Sequence, residues 1–327
     1  MRARPDPHAV LLLTTAMEAH FAALLVAGYS AATVRGRRVA IRRFIAWAAE
    51  RSLTEPGEIT TIILQRYQRH LFAHRKPNGA AITLGTQFGC LTPLRTWFKW
   101  LAHEGRIPAD PAAALALPRL PRQLPRVPLG VAEAEALLAA ADPATPVGLR
   151  DRAMLELLYS TGLRRTEVAN LRRYDADLAR LTLFVHEGKG GRDRVVPLGA
   201  RAAAWLDRYL MEARPRLLGG TSEALFVTDW GQPVTPEQVA TAVRRAKARA
   251  GVKKPGACHL LRHACATHML DNGADVRFIQ ALLGHASLAT TERYTHVAIT
   301  RLQEVHARTH PAARVSTPRT PLPEAEG

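Results

Sequence analysis

Arg164 follows Gly162, which is suited to stop the helix expected from Arg150 to Ser160, and precedes Thr166, which can open the next. A guanidinium at such a helix start can face an anion together with backbone N–H groups. Glu167, one turn along, can hold that guanidinium or simply begin a solvated helix. Lys189 stands between Gly188 and Gly190, on a turn flexible enough to reach across a bound backbone. To give up a proton there it would need a pKa below the usual value of about 10.4. After the helix breaker Gly256, the run Cys258-His259-Leu260-Leu261-Arg262-His263 opens a helix. His259 and Arg262, at i and i+3, share one face of its first turn, and the positive end of the helix dipole adds to that face. The combination suits a phosphate. His259 and His263 at i and i+4 also permit a metal reading, but Leu260 fills the glutamate place of H-E-x-x-H and no carboxylate follows before Asp271. His285 falls where Gly284 ends one helix and Ser287 can cap another, and Tyr294 lies on that second helix. Each residue alone admits a plainer reading: a surface arginine, a lysine on an exposed turn, a packing tyrosine.

The elements that must position these groups are mostly helical. Residues 130–310 carry helical patterns with one β insertion, Leu181–Val185 and Arg194–Val196 around Gly188-Lys189-Gly190-Gly191, which predicts a hairpin. Residues 1–107 read as several helices. Ser30 and Thr33 can cap one that carries Val34, Ile41, Phe44 and Trp47 interleaved with Arg35, Arg38 and Arg42. That arginine face can lie on a phosphate backbone or stay solvated. A further helix runs from Leu91 to His103, with Trp97, Phe98, Trp100 and Leu101 at core spacing and Pro93 expected to start or kink it. Residues 108–129 alternate prolines with Arg119, Arg122 and Arg126 and read as an extended basic linker between two domains. Residues 311–327 lose periodicity and are expected to be disordered.

Bulk properties narrow the partner. The 327 residues are 47% hydrophobic, enough for two domains with real cores, and 45 Lys and Arg against 28 Asp and Glu leave a formal net charge of +17. A folded chain that basic points to a polyanion, with nucleic acid the default, although a merely basic protein would look the same. Cys90, Cys258 and Cys265 form no C-x-x-C pair, which argues against a disulfide framework and fits a reducing cytoplasm. The apolar run Val10–Leu13 is too brief to span a bilayer, so a cytoplasmic protein with no membrane partner is expected.

Four segments in order, GLRDRAMLELLYSTGLRRTEVANL, EGKGGRDRVVPL, HLLRHACATHML and ALLGHASLATTERYTHV, resemble the catalytic domain of the tyrosine recombinases, the phage integrase family, most closely its bacterial Xer-like branch. The resemblance runs from about Pro7 to Pro311. It implies a mainly α fold with a small β-sheet, in which an N-terminal helical, SAM-like core-binding domain precedes the catalytic domain. By matching positions, Arg164 and Arg262 grip the non-bridging oxygens of the scissile phosphate. Lys189 is the general acid, His259 a hydrogen-bonding or basic group, His285 a further donor, and Tyr294 the nucleophile. Arg35, Arg38, Arg42, Arg192 and Arg194 are expected on the DNA backbone. The resemblance further implies no metal or ATP requirement. Double-stranded DNA is the implied partner, engaged by a homo- or hetero-tetramer on two sites, alone or with a second recombinase, in a nucleoid-associated setting. Residues 301–310 resemble a C-terminal helix that docks on a neighbouring protomer, though a helix packed on its own domain fits as well. The rival readings are a type IB topoisomerase-like nicking-closing enzyme, a DNA-binding protein without catalysis, and a metal-dependent hydrolase.

Overall fold

The computed structural model describes residues 12–121, 127–188, 192–284 and 296–313, and the chain divides into two compact units, Met1–Leu124 and Pro125–Gly327. The first contains α1 (Leu13–Val26), α2 (Ala31–Ala49), α3 (Thr61–Ala73) and α4 (Leu84–His103). Ser30, Thr60 and Thr83 each accept the backbone N–H three residues on, which ends the chain's extended entry and starts α2, α3 and α4. Phe21, Phe44, Tyr67, Trp97, Phe98 and Leu101 fill the core between them, so the aromatics of the last helix are packing residues as expected. That helix is longer than its expected span of Leu91–His103. Pro93 sits mid-helix, where it forgoes one backbone bond, and buried Cys90, Leu91, Leu94 and Trp97 anchor the turns on both sides. Ala112 and Leu115 are buried in this core, whereas Leu129 is buried in the other. The ends of the expected linker are therefore docked rather than free. On α2, Arg35 and Arg42 are exposed, Arg42 with Nη2 3.9 Å from Glu18 Oε1, but Arg38 pairs closely with Glu18 and lies 4.6 Å over the Phe21 ring, so it is engaged within its own unit.

The second unit begins with α5 (Val131–Ala139), α6 (Pro146–Thr161) and the short α7 (Arg165–Asn170). A three-stranded antiparallel sheet follows, β1 (Ala176–Asp177), β2 (Thr182–Gly188) and β3 (Arg192–Pro197), in that spatial order. Val185 pairs with Arg194 and Leu183 with Val196, and the register shifts between Val185 and Gly188. Next come α8 (Ala200–Arg208), a π-helical turn at Tyr209–Ala213, α9 (Arg214–Leu217), α10 (Pro236–Arg249), α11 (Cys258–Asp271), α12 (Val276–Leu283) and α13 (His296–Thr309). The central helix is α6, every residue of which from Leu149 to Thr161 except Arg152 is buried. No helix among the described residues is long and apolar enough to cross a membrane.

Regular structure continues past His310. Pro311–Ala313 forms a further helical turn with Ala312 and Ala313 buried, so the expected disordered tail does not begin at Pro311. Residues 314–327 lie outside the described residues. In the single chain, α13 rests on its own unit: Leu302 and Val305 are buried, and Gln303 donates to the Arg180 and Leu181 carbonyls. His306 donates from Nε2 to the Ser160 carbonyl at 2.7 Å, and His310 from Nε2 to the Tyr159 carbonyl at 2.9 Å. The two rings stack 4.9 Å apart.

Burial pushes His306 down to about 4, and burial followed by the neighbouring His306 holds His310 well below the ordinary histidine value. Both are neutral in the folded chain at pH 7, whereas the unfolded chain takes up their protons below about pH 6.5. Their stabilising contribution is therefore complete above that pH and is lost as pH falls towards the folded-state values. Melting temperature should drop between pH 7 and pH 5, and the drop should be smaller in a His306→Gln, His310→Gln variant. Parallel melting curves for the two proteins would contradict this account.

Candidate active site

The cationic site forms where α6 ends, α7 and α11 begin, and α12 stops. Gly162 closes α6 in the left-handed region at φ 61°, and a Cβ there would lie 2.6 Å from the Leu283 side chain. Both the backbone angle and the close approach of α12 require glycine. Two residues later Arg164, rather than Thr166, stands at the N-cap of α7. Its backbone N–H donates to Glu167 Oε2 at 2.9 Å, and its Nη1 donates to Oε1 at 2.8 Å. Glu167 is buried, which decides between its two sequence readings: it holds the guanidinium.

Arg262, in the first turn of α11, has no carboxylate within ion-pair distance among the described residues. It donates from Nη1 to the Gly162 carbonyl at 2.6 Å and from Nη2 to the Leu283 carbonyl at 2.8 Å. Both acceptors are at helix C-termini, where the unpaired carbonyls carry partial negative charge. Burial, and then the positive charge of Arg164, pull the Arg262 guanidinium down to about 10, which still leaves it charged at neutral pH. Burial comes first and the Arg262 charge second in lowering His259, followed by His263, Arg165 and Arg164. His259 is thus neutral at pH 7 and can accept a proton or a hydrogen bond.

The structure therefore brings together Arg164, His259 and Arg262. Lys189, His285 and Tyr294 lie outside the described residues, as do the Ser287 cap and the side chain of Arg192. Arg194 departs from expectation. Asp193 is exposed, Arg194 buried, Val195 half-buried and Val196 buried, so two-residue alternation turns Arg194 to the core face of β3. There its Nη1 and Nη2 donate to Glu167 Oε1 and Oε2 at 3.1 and 2.9 Å, and it is not available to a DNA backbone. Among the described residues, no three His, Cys, Asp or Glu side chains gather as a metal site would require.

In the free protein the His259 imidazole should titrate below about 6.5, and Arg262→Gln should raise the midpoint by removing a nearby charge. NMR titration of the ring protons checks both. A midpoint at or above the ordinary value would contradict the site's electrostatics.

The model of the phage integrase family matches residues 129–301. Tyrosine recombinase XerC 2 of Ralstonia nicotianae (strain ATCC BAA-1114 / GMI1000) is 64% identical over 307 residues, covering 94% of this chain and 88% of the relative. Tyrosine recombinase XerD of the same organism is 44% identical over 241 residues, covering 73% and 77%. A lambda integrase tetramer bound to a Holliday junction has the same fold, with a TM-score of 0.63 at 20% identity over 94% of this chain and 84% of that one. The chain belongs to the phage integrase family and is a site-specific tyrosine recombinase of the Xer kind.

Proposed function

We propose that this recombinase cuts and rejoins double-stranded DNA through Tyr294, with Arg164, Lys189, His259, Arg262 and His285 assisting at one phosphodiester. The phenol oxygen of Tyr294 forms a bond to phosphorus as the bond to the 5′ oxygen breaks, leaving a 3′-phosphotyrosine and a 5′-hydroxyl. His259 hydrogen-bonds the site and takes up the phenol proton, Lys189 supplies the proton to the leaving oxygen, and His285 donates to a phosphate oxygen. Arg164 and Arg262 offset the negative charge that builds on the non-bridging oxygens, a contribution that is usually the largest in such reactions.

The observation that carries this reading is the pairing of Arg164 and Arg262 beside a neutral His259, with both arginines held by protein acceptors before any substrate arrives. Preorganised cations of this kind can fill the role that a metal ion has in other phosphoryl-transfer enzymes, so neither metal nor ATP enters the proposal. The ester conserves the bond energy, and a 5′-hydroxyl of the partner strand can reverse the first step. On this reading four protomers, alike or of two kinds, act on two DNA sites through a Holliday junction in the cytoplasm. The product is a resolved chromosome dimer or an integrated or excised mobile element. Arg35, Arg42 and Arg192 remain proposed contacts to the DNA backbone.

Nicked suicide DNA incubated with the protein in EDTA, followed by denaturing electrophoresis, should yield a covalent protein–DNA adduct. Tyr294→Phe should yield none, since it lacks the oxygen that bonds to phosphorus. Adduct formation by that variant, or loss of the parent's adduct on chelation, would overturn the proposal.

A further inference from the structure

Arg194 is a buried cation on the strand β3, next to the sequence that carries Lys189, and the chemistry proposed above does not use it. Its two terminal nitrogens occupy both oxygens of Glu167, at 3.1 and 2.9 Å, in the fork geometry that only a guanidinium provides. The side chains of both partners are 5% exposed, whereas that of Arg164 is 21% exposed. Glu167 thus joins two arginines of unequal access. Arg164 gives it a single terminal nitrogen from its side chain, because the carboxylate's remaining capacity is already taken. Without Arg194, the carboxylate could turn and engage Arg164 through both of its terminal nitrogens, withdrawing N–H groups from any bound anion.

A second contact ties Arg194 to the site. Its Nε is buried and has no hydrogen-bond partner among the described residues. Gly284 closes α12 at φ 63°, and a Cβ there would lie 3.1 Å from Arg194 Cζ and Nε. The backbone corner from which the chain continues to His285 therefore rests directly on this guanidinium. Leu283, one residue earlier, supplies the carbonyl that holds Arg262.

We propose that Arg194 is a positioning residue of the recombinase, acting through Glu167 to keep the Arg164 guanidinium turned to the scissile phosphate while it supports the Gly284 corner. The proposal rests on the function assigned above, in which Arg164 binds that phosphate. It separates Arg194 from the exposed arginines of the chain: its substitution alters the rate of strand cleavage and leaves DNA affinity nearly unchanged.

The test compares single-turnover adduct formation on two suicide substrates, one with an ordinary scissile phosphodiester and one with an uncharged methylphosphonate at that position. The parent chain, Arg194→Lys, Arg194→Gln and Arg164→Ala are each assayed, with DNA affinity and melting temperature measured alongside. A displaced guanidinium of this kind is expected to slow cleavage of the phosphodiester by about 100-fold in the Arg194 variants. On the methylphosphonate, which has less charge to offset, the deficit should shrink to within about fivefold, as it should for Arg164→Ala. The ratio of the two rates within one variant does not depend on how much of the preparation is folded, so a destabilised variant still gives an answer. Equal deficits on both substrates, or parent-like cleavage by Arg194→Lys, would overturn the positioning role. If the parent forms no adduct on either substrate, the assigned function itself fails. If the parent and Arg164→Ala behave as stated and the Arg194 variants do not, only the role of Arg194 is lost.

Discussion

Arg262 carries its charge into the second unit's interior with no carboxylate partner among the described residues, and the way that charge is satisfied organises the site. An unpaired buried cation costs several kcal/mol, on the order of the stability of a whole domain. Here the acceptors are the Gly162 and Leu283 carbonyls, at 2.6 and 2.8 Å. The two bonds fasten the end of α6 and the end of α12 to the first turn of α11. Left-handed glycines at 162 and 284 let both chains turn away immediately after those contacts. Because the acceptors are neutral carbonyls, Arg262 keeps its full positive charge for an incoming anion.

Arg164 follows a different arrangement with a similar result. Its partner Glu167 is held below its ordinary value: burial works to raise it, and the hydrogen bonds and charge of Arg194, with the backbone and side-chain hydrogen bonds of Arg164, outweigh that effect. One carboxylate shared between two arginines leaves a net positive charge, and Arg262 adds another. Repulsion among these cations is stored in the folded protein, and on the proposed function a bound phosphate would relieve it. Burial first, and then the same field, lower His259 and keep it neutral. Preorganisation, rather than rearrangement on binding, is what this geometry supplies.

Much of this was legible in the residues themselves. Gly162 before Arg164, and His259 with Arg262 one turn apart after Gly256, obey local rules of helix termination and periodicity that need no tertiary information. The hairpin followed from β-branched residues around glycines. Arg194 was misjudged because it was read by its charge and its closeness to a turn. The alternation it shares with Val196 pointed inward, but nothing local announced that Glu167 would be waiting there. The extra turns of the helix through Pro93 were hidden because proline usually marks an end, and the Thr83 cap went unread. The docked state of Ala112, Leu115 and Pro311–Ala313 depends on cores assembled from distant residues, which composition does not report.

The most direct test of the central claim is a crystal structure of the protein on a half-site DNA, with Tyr294→Phe to hold the uncleaved state. The account predicts that Arg164 and Arg262 contact the same phosphate while Arg262 keeps its bonds to the Gly162 and Leu283 carbonyls. A complex in which the two arginines reach different phosphates, or in which Arg262 must leave those carbonyls to bind DNA, would contradict it.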